Sequence, residues 1–182
     1  MDIVVTGLVA FGGVLVGGAL TGLIELWRQL LEGRAAARII RMEIQDNANR
    51  CIQSIAHSRP DIRLKDDAWR DLRAKLAPLL PELVLQDLAS GYGAMFIAED
   101  WISKVQLKRD EAKAQVQQWV DSMMVHSSFL LQLEKRSRIP QMVDLLLGRP
   151  TFPTPGGGEQ ATRQLLEEKR RKLSELFGVT KR

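Results

Sequence analysis

From Ile3 to Ile24 the chain reads IVVTGLVAFGGVLVGGALTGLI, 22 residues without one charged side chain. Coiled into an α-helix at 1.5 Å per residue the run is roughly 33 Å long, enough to cross a hydrocarbon core of about 30 Å. Backbone amides in lipid have no water to bind, so a lone apolar segment crosses only as a helix that satisfies its own hydrogen bonds. Trp27 and Arg28 follow at once, an indole and a cation suited to the headgroup layer. A cleaved signal peptide is the rival reading, with Gly17 and Ala19 as its small residues. Such peptides open on a basic region and carry a shorter apolar core, whereas the only charge before this run is Asp2. The sequence therefore predicts an anchor over residues 1–27.

Orientation follows from the basic residues. None precedes the span, while Arg28, Arg34, Arg38 and Arg41 come directly after it. Basic flanks remain on the cytoplasmic side, so the expected location is the inner (plasma) membrane, amino terminus outside and the rest inside. The same arginines are candidates for contact with lipid phosphates or an acidic partner. Within the span, Gly13 with Gly17 and Gly18 with Gly22 are small-x-x-x-small pairs, and Thr21 extends the first row. Rows of this kind let two helices approach closely in lipid, so self-association into a homo-oligomer is expected through this face. The bland alternative is that glycine is common in membrane helices.

Downstream of the span the pattern is helical throughout. Ile40, Ile44, Ala48, Cys51 and Ile55 recur at three- and four-residue intervals. Pro60 ends that helix, a second is expected over residues 66–76, and Pro81 with Glu82 starts a third carrying Leu85, Leu88, Tyr92 and Met95. The apolar run from Leu88 to Ala98 is too short to cross a bilayer and reads as buried core, with Gly91 and Gly93 as a kink or a close-packing point. Ala112, Val116, Trp119, Met123, His126, Leu130 and Leu133 then keep a 4, 3, 4, 3, 4, 3 spacing, a heptad seam on a helix of residues 110–137. Pro140 opens a short helix ending near Leu147. The predicted class is all-α: a cytoplasmic antiparallel helical bundle over 28–147, a Pro/Gly linker over 148–158 (GRPTFPTPGGG) and a basic amphipathic tail helix over 159–182.

That tail holds seven Lys or Arg against four acids, with Lys169, Arg170, Arg171 and Lys172 adjacent. In a protein already tethered to a membrane, lipid or an acidic partner is the simplest target, and a solvated helix face is the alternative. Overall charge is only +4, with acids interleaved among the bases, which argues against nucleic acid as a partner.

Chemistry-bearing constellations are missing from the sequence pattern. Cys51 and His57 are six positions apart and face different directions on a helix, so Cys51 reads as a small buried apolar residue. Two histidines and one cysteine do not compose a zinc site. Asp66-Asp67, Glu99-Asp100 and Glu167-Glu168 are sequence neighbours, which do not share a helix face. The tripeptide Gly91-Tyr92-Gly93 lacks the preceding threonine and valine of a potassium filter. His126 on the seam is either a register-setting or pH-responsive group, or a histidine satisfied by neighbours such as Ser127 and Ser128. No cofactor and no enzymatic activity are expected.

The order of glycine-rich span, arginine-studded helix reading RAAARIIRMEI (Arg34 to Ile44) and tryptophan-containing helices resembles a loose group of small membrane-anchored bacterial proteins, many from actinobacteria and their phages. The likeness covers residues 1 to about 101 and contains no diagnostic motif. It implies architecture and location and transfers no functional residue. The function expected is a membrane-tethered interaction or scaffold protein offering helical surfaces to a cytoplasmic partner. The alternative is a membrane-active effector, such as a phage-related exclusion or lysis-accessory factor, acting on the bilayer.

Overall fold

One helix joins the chargeless run to the core of the domain. In a computed structural model, which describes residues 2–57, 62–105 and 110–149 and, Val105 apart, their side chains from Gly12 onward, α1 runs unbroken from Asp2 to His57. Glycines disfavour helix formation in water, but no proline interrupts this stretch, so beyond the first turn each amide can find its i−4 carbonyl. Five further helices follow: α2 (Asp67–Leu76), α3 (Glu82–Gly93), α4 (Met95–Val105), α5 (Asp110–Lys135) and α6 (Arg138–Leu146). No strand occurs among the described residues.

α1 changes environment along its length. Val14, Leu15, Val16, Leu20, Leu23 and Ile24 are exposed, whereas Leu30, Ala36, Ala37, Ile40, Ile44, Ala48 and Cys51 are buried. The predicted stripe from Ile40 to Cys51 thus lies in the core, with Ile55 half-buried at its end. α5 packs along it in the opposite direction. Arg34 and Arg41 meet residues Glu134 and Arg136 near the end of α5, while Ala48 and Cys51 share an apolar cluster with Val116 and Val120 near its start. A second cluster gathers Leu30, Ile40 and Ile44 of α1 with Leu76, Val84 and Leu88, and with Met123, Phe129 and Leu130 of α5.

One expectation is corrected. The third helix is two: Ala94 leaves the helical region at φ −84° and ψ 0°, and the chain restarts as α4 at Met95. That break re-aims the apolar run, so Val84, Leu88, Tyr92 and Ala98 are buried but Phe96 and Ile97 lie on the surface. The start of α2 is held from a distance. Asp66 makes no side-chain cap bond; instead the Glu43 carboxylate, on α1, accepts from the amides of Ala68 at 2.8 Å and Trp69 at 3.2 Å. The same Glu43 takes the Tyr92 hydroxyl at 2.9 Å, and the Tyr92 ring stacks on Trp69 with centroids 5.1 Å apart.

Candidate membrane interface

The described glycines of the apolar run have no neighbour inside the chain. A Cβ placed on Gly12, Gly13, Gly17, Gly18 or Gly22 would meet nothing within 4 Å. Thr21 hides its hydroxyl by donating to the Gly17 carbonyl at 2.9 Å, so this polar group is satisfied on its own helix. The row Gly13, Gly17, Thr21 and the pair Gly18, Gly22 are therefore open faces of an exposed helix. By length and composition α1 is able to cross a membrane.

Where the chargeless run ends, polar chemistry begins abruptly. Arg28 donates to Glu25 at 2.8 Å and reaches Glu32 at 3.8 Å, while its side chain stays 64% exposed. An i,i+3 pair this open contributes little to stability and keeps the cation accessible. Trp27 is partly exposed, and the Arg138 guanidinium sits 5.9 Å from the centre of its ring. Beside them a cavity of about 360 Å³ opens between α1 (Leu26, Gln29), the turn Ala77–Pro81 and the end of α6 (Leu145, Arg149). No family model, curated protein or solved structure matches the chain.

The four arginines assigned to lipid or an acidic partner divide. Arg28 and Arg38 are exposed. Arg34 and Arg41 are half-buried and engaged inside the domain, where the end of α5 supplies acceptors that water would otherwise have to satisfy. Arg34 donates to the carbonyl of Arg136 and to Gln141 Oε1, both at 2.8 Å, and to the carbonyl of Glu134. Burial leads the causes that lower its pKa, with Arg138 adding repulsion. Arg41 holds the Glu134 carboxylate through two nitrogens, at 2.6 and 3.3 Å. Lys169, Arg170, Arg171 and Lys172, with most of the linker and the whole tail helix, lie outside the described residues.

The heptad seam faces this chain's own helices. Ala112, Val116, Met123, His126, Leu130 and Leu133 are buried, and Trp119 is half-buried with its indole N–H donating to the Gly91 carbonyl at 2.9 Å. Val120, Val125, Ser127 and Phe129, off the seam, are buried as well, so α5 is enclosed on several sides. His126 is 1% exposed, with Nε2 3.5 Å from Asp87 on α3. Ser128 donates instead to the Val125 carbonyl. Among the described residues no three His, Cys, Asp or Glu side chains gather where a metal would sit.

Proposed function

We propose that this chain is a single-pass protein of the plasma membrane, amino terminus outside, that tethers a non-enzymatic helical interaction domain at the cytoplasmic face. One observation carries the reading: from Gly13 to Ile24 the chargeless run is exposed, and the same unbroken helix continues into the buried core of the domain. Exposed apolar surface of this extent is unfavourable in water and favourable in lipid, at about 25 cal/mol per Å². Orientation is supported by arginines on one side of the span only. Self-association through Gly13, Gly17, Thr21, Gly18 and Gly22 is supported by the absence of any side chain packed on that face. The Pro/Gly segment would act as a tether for the basic tail, which would reach anionic lipid or an acidic protein.

The test is topological. A reporter active only in the cytoplasm, fused after Arg182, should be active, and the protein should stay with membranes through an alkaline carbonate wash. An exported reporter, or a freely soluble native chain, sinks the reading.

A further inference from the structure

The last described helix has one satisfied face and one bare one. α6 turns Gln141, Met142 and Leu145 inward. Gln141 Nε2 donates to the Leu133 carbonyl at 2.8 Å, and its Oε1 accepts from Arg34, while Met142 and Leu145 pack against the main apolar cluster. On the opposite side Ile139 is 74% exposed, Val143 49%, Leu146 61% and Leu147 55%. Their spacing of i, i+4, i+7 and i+8 makes one continuous apolar stripe. A contiguous stripe of this kind marks a contact surface rather than scattered exposure.

The position of α6 says what covers it. α5 runs against α1, so its carboxyl end points back towards the span, and α6 closes that end: Arg34 and Gln141 occupy the last carbonyls of α5. The far side of α6 therefore belongs to the end of the domain from which the span emerges. Arg138 stands over Trp27, and Leu145 and Arg149 wall a cavity with Leu26 and Gln29. α6 thus crosses α1 at the level where the chargeless run gives way to Glu25, Trp27 and Arg28. An apolar stripe at that level, with Arg138 on the same helix and Arg149 just beyond its end, has the make-up of a helix lying in a headgroup layer, with apolar side chains in the acyl boundary and cations at the phosphates.

We propose that α6 is an interfacial helix which seats the domain on an anionic lipid surface beside the span. The proposal rests on the membrane-spanning reading and goes beyond it, because a tethered domain need not touch the bilayer at all. α6 would fix the tilt and rotation of the domain, so that the outward surface of α2, α3 and α4 is presented to the cytoplasm in one orientation.

The experiment uses the full chain in vesicles of mixed phosphatidylcholine and phosphatidylglycerol. In a Cys51→Ala background, a polarity-sensitive fluorophore is attached through Val143→Cys on α6, through Val16→Cys in the span, or through Ser103→Cys on α4. Lipids carrying a nitroxide near the headgroup should remove roughly half the emission at position 143, nitroxides deep in the chains should quench position 16, and neither should affect position 103. Quenching at 16 with none at 143 overturns the interfacial helix and leaves the span standing. The interfacial helix is equally overturned if position 143 is shielded by a second copy, seen as a 143–143 disulfide, or by the tail, seen as quenching that appears only when residues 150–182 are removed. No quenching at either 16 or 143 overturns the span reading and this inference together.

Discussion

At the scale of single residues, the side chains that organise this domain are polar groups whose partners lie far away in sequence. Glu43 caps α2 from 25 and 26 positions upstream while holding Tyr92. A carboxylate accepting backbone amides is worth about 1.5–3 kcal/mol, so Glu43→Ala should lower unfolding free energy by roughly that amount. Asp66→Ala, at the position a local cap would occupy but without a cap bond, should change it by less than about 0.5 kcal/mol. Urea unfolding of both variants, followed by tryptophan fluorescence in mild detergent, compares the two directly. Cys51 gives a pH prediction. Burial, with the Glu99 charge adding, pushes its thiol from an ordinary 9.0 up to about 12. A raised acid pKa favours the neutral folded form, so this contribution is complete below the ordinary thiol range and is lost as pH climbs from there towards about 12. At neutral pH the native thiol should react with a soluble disulfide reagent roughly a hundredfold more slowly than in urea. Equal rates would mean that Cys51 is accessible in the native protein.

At the scale of elements, two glycines show how closely the helices approach. A Cβ on Gly33 would collide with the Leu79 side chain and stand 2.8 Å from the Lys75 carbonyl, a backbone atom that cannot step aside. Gly33→Ala should therefore push α1 from the end of α2 and cost about 1–3 kcal/mol, despite the better helix propensity of alanine. A Cβ on Gly91 would instead meet the Met123 sulfur at 2.5 Å. That side chain has three rotatable bonds, so Gly91→Ala should be close to neutral. Thermal melts of both variants decide between these outcomes, and equal destabilisation would contradict the distinction. The heptad positions on α5 are buried or half-buried, yet Phe129 lies off them and is fully buried. Periodicity identifies one neighbour's face. It does not count the neighbours, and α5 has α1, α3 and α4 around it.

For the whole molecule, one unbroken α1 joins the exposed apolar run to the buried core of the domain. The open glycine face makes self-association testable without disturbing the fold. A Cβ at position 17 would meet nothing within 4 Å, so Gly17→Leu should leave the melting temperature unchanged and weaken association in detergent at least about tenfold. Cross-linking yield against protein-to-detergent ratio measures this. Unchanged association would place the contact elsewhere.

How much of the fold and of the candidate interface is legible in the sequence follows from the range of the forces involved. The long apolar amino-terminal helix, the all-helical class, the Pro81-Glu82 helix start and the buried stripe from Ile40 to Cys51 are consequences of local composition and of a 3.6-residue period. These act along the chain, and so the sequence by itself determined them. The separate roles of Arg28 and Arg38 on the surface and Arg34 and Arg41 inside were decided only when α5 brought its terminal carbonyls and Glu134 alongside α1. Likewise the apolar positions of α6 are plain in the sequence, but which of them face solvent depends on how that helix lies across the end of α5. A guanidinium or a leucine is the same group in either setting; its environment comes from residues a hundred positions away, which the tertiary fold alone brings near.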